Sequence, residues 1–252
     1  FNKRSSAPSN MIYGIKPLEE AFKAGKYIDK IFVQRNLKSD DITDLLRLAS
    51  DNRVAIAKVP VEKLNSFTMK NHQGIVAFVS AISYAPIVNI LASVYEAGKM
   101  PLILLLDRIT DVRNFGAIAR TAECMGVNAI VVPIKGGAQA GPDAVKTSAG
   151  ALNHIPVCRE GNLRQTVEYL QDYGLQVFAC SEKAGENDTI YTGGFDVPTA
   201  IVMGSEEDGI SDDILRIANK ILRIPMTGKV SSLNVSVATG MVLSEVVRQR
   251  SL

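Results

Sequence analysis

From residue 101 onward the apolar residues fall into short continuous runs, and the stretches between them carry apolar residues at helical spacing. Residues 102–106, 129–133, 155–159, 175–179, 200–203 and 221–225 read as strands. Residues 114–125, 143–149 and 163–173 read as helices, a further helix starts near Ser211, and the last opens with Ser231-Ser232-Leu233-Asn234. A strand that is apolar at every position has no solvated face. Alternating with helices, such strands predict a parallel sheet covered on both sides, so the fold class is α/β.

The first eighty residues carry a second, smaller pattern. Pro17 stands at a helix start and precedes Leu18, Ala21 and Phe22 at helical spacing, giving a helix over 16–24. Residues 28–34 form an apolar run of strand length. Ser39-Asp40 caps a helix with Ile42, Leu45, Leu46, Leu48 and Ala49 on one face. Residues 54–59 alternate as a strand does, and 74–80 (GIVAFVS) form another. The predicted organisation is a polar tail at 1–10, a small α/β module at 11–80, a connection at 81–100 and a main domain at 101–252. The connection contains a helix-like run, 88–97, closed by Gly98.

Composition narrows the class. At 46% hydrophobic and 21% charged, the chain has ample material for a core. No apolar run approaches the roughly 18 residues of a membrane helix, so no membrane partner is expected. Asn2, Lys3, Arg4, Ser5 and Ser6 make a polar tail without a secretory signal pattern, and the start at Phe1 rather than Met points to a missing upstream stretch. Cys124, Cys158 and Cys180 are isolated and lack metal-ligand spacing, which reads as reduced thiols of a cytoplasmic protein. His72 and His154 are too scattered for a zinc site or a histidine triad. The net charge of +2 hides an asymmetry: residues 1–80 hold 13 Lys and Arg against 8 Asp and Glu. That surplus reads as solvated surface or as the footprint of a polyanion.

Three segments concentrate polar residues at strand ends. The first is Asp107-Arg108-Ile109-Thr110-Asp111-Val112-Arg113-Asn114-Phe115-Gly116-Ala117-Ile118-Ala119-Arg120, in which Asn114 is well placed to cap a helix. The second, Met203-Gly204-Ser205-Glu206-Glu207-Asp208-Gly209-Ile210, sets three acids between glycines. A hard metal would need carboxylates from elsewhere, which no spacing supplies. The third is Ile224-Pro225-Met226-Thr227-Gly228-Lys229-Val230-Ser231-Ser232-Leu233-Asn234-Val235-Ser236. Its Gly-Lys lacks the leading glycine of a P-loop, and no strand is followed by the glycine fingerprint of a dinucleotide fold.

Taken together and in this order, N-F-G-A-I-A-R, I-V-M-G-S-E-x-x-G-I and I-P-M-x-G-x-V-x-S-L-N-V-S-V-A resemble the three motifs of the SpoU (TrmH) branch of the SPOUT RNA methyltransferases. The front module, from Y-G-I-K-P-L-E-E-A-F to G-I-V-A, resembles the ribosomal-protein-like substrate-binding domain of one subgroup. The likeness is greatest to the 23S rRNA guanosine 2′-O-methyltransferases. The resemblance implies a parallel-sheet domain with a deep trefoil knot, S-adenosylmethionine as cofactor and no metal. It places Gly204, Ile224, Met226 and Leu233 against the cofactor, and Asn114, Arg120, Glu206, Ser232 and Asn234 in the catalytic set. It also implies an RNA substrate, rRNA in preference to tRNA, and a homodimer through the knotted domain. The last helix, with Val237, Met241, Val242 and Val246, would lie at that interface. A tRNA 2′-O-methyltransferase and a non-catalytic RNA-binding protein on the same scaffold are the alternatives.

Overall fold

The front unit is built on alternation. In the computed structural model, which describes residues 10–37, 40–230 and 232–251, it comprises β1 (Met11–Tyr13), α1 (Ile15–Lys23), β2 (Ile28–Gln34), α2 (Asp40–Asp51), β3 (Ala55–Val59), α3 (Val61–Phe67) and β4 (Ile75–Val79). The sheet order is β1-β4-β2-β3, with β2 and β3 parallel and the other pairs antiparallel. Ile31, Val33, Ile75 and Ala77 share one face and pack with Leu18, Ala21, Leu45 and Ala49 of α1 and α2. On the other face Phe32, Phe67 and Phe78 meet with ring centroids 5.0–6.0 Å apart. The predicted cap at Ser39 lies outside the described residues. Neither α3 nor the three-residue β1 is visible in the hydrophobic pattern, because α3 buries only Leu64.

The chain separates into two compact units, the first running to Ser83 and including Gln139–Pro142, the second taking Tyr84–Ala138 and the rest. The second unit begins with α4 (Ile87–Glu96). It then alternates β5 (Leu102–Asp107), α5 (Val112–Cys124), β6 (Ala129–Pro133), α6 (Pro142–Thr147), β7 (Val157–Glu160), α7 (Leu163–Asp172), β8 (Gln176–Cys180), β9 (Thr199–Gly204), α8 (Asp212–Leu215), β10 (Lys220–Leu222) and α9 (Val235–Arg250). All six strands run parallel in the order β10-β8-β9-β5-β6-β7, as uniformly apolar strands require. Leu102 to Leu106 are each at most 3% exposed, so β5 is buried on both faces.

Four differences from the sequence reading bear on the site. Asp111, not Asn114, caps α5, so the helix starts two residues earlier than expected. The helix near Ser211 is a single turn, α8. β10 stops at Leu222, and Arg223 to Pro225 leave the sheet; Pro225 has no N–H to give a ladder. Finally, α9 opens on Asn234 as its cap, which leaves Ser232 and Leu233 in the preceding loop. Its far end is tied down by Arg250, whose guanidinium donates to the carbonyls of Phe195, Val197, Met100 and Pro101 at 2.9–3.3 Å. Val242 and Val246 are fully buried within the chain's own core, whereas Val237 and Met241 are 52% and 38% exposed. No helix among the described residues is long and apolar enough to cross a membrane.

Gly116 shows how closely α5 is seated. A Cβ there would lie 2.7 Å from Thr147 Cβ and 2.9 Å from the Ala144 carbonyl of α6. Gly116→Ala should therefore push the two helices apart and destabilise the chain by about 1–3 kcal/mol, the usual cost of overpacking. Denaturant melts check this; an unchanged midpoint would mean that the two helices are free to separate.

Candidate functional site

Because the strands of the second sheet are parallel, the carboxyl ends of β5, β8, β9 and β10 deliver their loops to one edge, where open α/β sheets place their ligands. β5 and β9 end level, with Asp107 opposite Gly204. Beyond Gly204 the chain folds back at once: Gly209 N–H donates to the Ser205 carbonyl at 3.0 Å, and Asp208 N–H to Ser205 Oγ at 3.1 Å. A Cβ at Gly204 would fall inside the backbone of Gly209 and Ile210. Glycine is needed here so that the acidic turn can close on its own strand, a cause nearer than the ligand approach suggested by its position.

That turn presents Glu206 to two other parts of the chain. Glu206 Oε1 accepts from Asn114 Nδ2 at 3.1 Å, from Asn234 Nδ2 at 2.8 Å and from the Val235 N–H at 3.2 Å. Asn234 Nδ2 also donates to Asn114 Oδ1 at 3.0 Å. At its other end Asn234 Oδ1 accepts from the Ser236 N–H at 3.0 Å, capping α9, so the cap and the carboxylate set the orientation of this amide from both sides. Asn114 is positioned from behind. Asp111 Oδ1 accepts from the N–H groups of Arg113 and Asn114 at 2.7 and 2.9 Å, and the Asn114 N–H above all holds the Asp111 carboxyl below the usual carboxylate range.

Beside this triangle, Gly204, Ile224, Met226, Ser232, Leu233 and Glu206 all line one cavity of about 430 Å³, a volume ordinary for a small-molecule site. Glu182, Glu207 and Asp208 also face it, against a single Arg223, so its wall favours a cationic ligand. Cys180 is part of the wall, but desolvation pushes its thiol up to about 12, so it offers no thiolate nucleophile. The described residues contain no group of three His, Cys, Asp or Glu side chains that could hold a metal ion.

Of the nine residues proposed from the sequence, eight gather at this edge and one does not. Arg120 is exposed on α5 and has no hydrogen-bond or ion-pair partner among the described residues. Six residues of helix carry it about 9 Å along the axis and about 240° around from Asn114. Glu206 and Asn234 hold Asn114 rather than Arg120. Two further residues went unnoticed. Asp107 Oδ2 accepts from the Ser211 N–H at 2.7 Å, and Arg108 Nη2 donates to the Gly209 carbonyl at 3.1 Å. The available signal was a charged pair placed directly at the end of an all-apolar strand.

Comparison with known proteins fits this geometry. Residues 101–244 match the SpoU rRNA methylase family, and residues 11–85 match the RNA 2′-O ribose methyltransferase substrate-binding family. A Staphylococcus saprophyticus protein assigned to the TrmH family of tRNA/rRNA methyltransferases is 34% identical over 242 residues, covering 96% of both chains. Among solved structures, the SpoU methyltransferase AviRb of Streptomyces viridochromogenes, in complex with AdoMet, superposes with a TM-score of 0.59 at 26% identity. The match covers 96% of this chain and 90% of that one. The TrmH/SpoU tRNA-modifying enzyme of A. aeolicus gives a TM-score of 0.55 at 30% identity, covering 65% of this chain and 84% of that one.

The Asp111 cap carries a pH signature. A carboxyl whose folded pKa lies below its unfolded value stabilises fully above the unfolded range, and the effect is lost as pH falls through the folded value. Asp111→Ala should therefore melt below the wild type at pH 7, with the gap closing progressively below about pH 4. Asp111→Asn, which keeps a capping oxygen, should lose less at pH 7. Calorimetric melts at pH 7 and pH 3 check this; equal gaps at both would rule out the ionised cap.

Proposed function

This chain belongs to the SpoU rRNA methylase family, and we propose that it moves the methyl group of S-adenosylmethionine to a ribose 2′-hydroxyl of RNA, at a guanosine of 23S rRNA. The observation that carries the reading is the meeting of Asn114, Glu206 and Asn234 beside a cavity lined by Gly204, Ile224, Met226 and Leu233. The cavity is of ligand size, partly apolar and edged with carboxylates, which suits a nucleoside bearing a cationic sulfonium and an ammonium group. Those four residues would hold it, and when bound it supplies an electrophilic methyl group. We also read the path from β10 into α9 as the trefoil knot that the family resemblance implies. In support, β10 lies at the far edge beyond β8, yet α9 returns to pack on α5.

In this proposal the protein aligns and stabilises. Three N–H donors occupy Glu206 Oε1, so through that oxygen Glu206 anchors the two amides rather than taking a proton. The anchored Asn114 and Asn234, with the Ser232 hydroxyl, would orient the ribose, and alignment alone supplies much of such a rate. A guanidinium offers N–H donors and no acceptor, so Arg120 is assigned a binding role and not that of a base. Exposed and unpaired with the triangle, it is suited to bind a backbone phosphate of the RNA near the target ribose.

Residues 11–80 would bind the RNA, and they fall within the stretch that matches the substrate-binding family. This favours rRNA, since the superposition on the A. aeolicus tRNA-modifying enzyme covers only 65% of this chain. We place the protein in the cytoplasm, in keeping with its three free thiols. We also propose a homodimer through α9, where Val237 and Met241 are the exposed apolar positions.

Mapping of 2′-O-methyl groups in rRNA and tRNA from cells with and without the protein tests the assignment. Loss of one guanosine mark in 23S rRNA is expected. Loss of a tRNA mark instead would move the substrate to tRNA, and an unchanged map would defeat the reading. Within the enzyme, Arg120→Lys should lower kcat/KM at least tenfold by removing the planar fork. Near wild-type methylation by that variant would remove the bidentate role.

A further inference from the structure

We infer that Arg108 is a positioning residue that clamps the acidic turn and thereby sets Glu206, an inference that rests on the proposed role of the Asn114–Glu206–Asn234 triangle. Arg108 is the first residue after β5 and adopts φ +58°, a left-handed conformation uncommon for a residue other than glycine. From there its guanidinium reaches the acidic turn. Nη2 donates to the Gly209 carbonyl at 3.1 Å, Nη1 stands 3.8 Å from Asp208 Oδ2 and Nε 3.6 Å from Asp107 Oδ1. Nε is buried without a hydrogen bond, so the group is placed for the turn rather than for its own satisfaction.

The neighbouring Asp107, 5% exposed, takes the Ser211 N–H. Asp107 and Arg108 thus grip the chain at Ser211 and Gly209, while Gly209 closes against Gly204. Glu206 projects from the middle of a segment held at three points. The same two residues lead through Ile109 and Thr110 to Asp111, the cap of α5 that positions Asn114. Arg108 therefore ties the strand that leads to Asn114 to the turn that carries Glu206. A mere counter-charge to Glu206, Glu207 and Asp208 would require neither the backbone strain nor the bond to a carbonyl.

Two arms test this on the full chain. In the first, amide hydrogen exchange is followed without cofactor or RNA. Arg108→Ala should speed exchange at Gly209 at least tenfold and leave β5 and α9 unchanged, with Arg108→Lys in between. Unaltered exchange at Gly209 would overturn the clamp. In the second, methyl transfer is measured with S-adenosylmethionine and substrate RNA. Arg108→Ala should lower kcat at least tenfold with KM for RNA within about twofold, and should add no further loss in a Glu206→Ala background.

Losses that multiply in that background would overturn action through Glu206. Arg108→Gly relaxes the backbone while removing the guanidinium, so it serves if the alanine variant folds poorly; wild-type kcat in Arg108→Gly would also overturn the proposal. A wild-type chain that transfers no methyl group defeats the proposed function, while the exchange arm still decides the clamp.

Discussion

One carboxylate oxygen holds the site together. Glu206 Oε1 is the only acceptor that Asn114 Nδ2, Asn234 Nδ2 and the Val235 N–H share among the described residues, and Asn234 lies 120 residues from Asn114 in the chain. Without such an acceptor, α5, the acidic turn and α9 would reach the same sheet edge with their polar groups facing one another at random. Charge-assisted bonds from two amides and a helix N-terminus are among the stronger pairings available to a partly exposed carboxylate. The rest of the second unit can be understood as what brings three such distant donors to one oxygen.

The parallel sheet does most of this. β5 and β9 pair along their whole length and end together, so their following loops emerge side by side. Each loop is then stopped from wandering by a short-range device. Gly204 lets the acidic turn fold back onto β9, Asp111 starts α5 at the right residue, and Asn234 both caps α9 and joins the triangle. Arg250 secures the far end of α9 to carbonyls near the start of β5 and before β9. These contacts hold the base of the site, and Arg223, Ile224, Met226, Ser232 and Leu233 line the cavity beside it.

Much of this was legible in the sequence because it depends on period and composition. Uniformly apolar strands gave their approximate positions and their parallel pairing, since both faces of the central strands β5 and β9 are buried. The three polar segments stood out because they interrupt that pattern at strand ends. What the residues alone did not yield were contacts between distant segments. Asn114 looked like a helix cap because its spacing from the helix allows it; Asp111 takes that duty through the Arg113 and Asn114 N–H groups, and the Asn114 side chain turns to Glu206 instead. Arg108 stood within the first polar segment without a role of its own, since nothing local announces a left-handed backbone at an arginine. Val242 and Val246 could equally have faced a partner or the core, and the choice was made by packing. Arg120 is placed by α5 away from the triangle, a consequence of helical geometry that was already calculable from its spacing.

Asn114 and Asn234 are oriented by one carboxylate. The side-chain amide resonances of these two residues in nitrogen-edited NMR spectra of the wild type and of Glu206→Gln test this most directly. Both amide pairs should shift together and exchange faster with water in the variant, while the backbone amides of β5 and β9 keep their positions. If either pair is unmoved, Glu206 is not the shared acceptor and the site is assembled by some other contact.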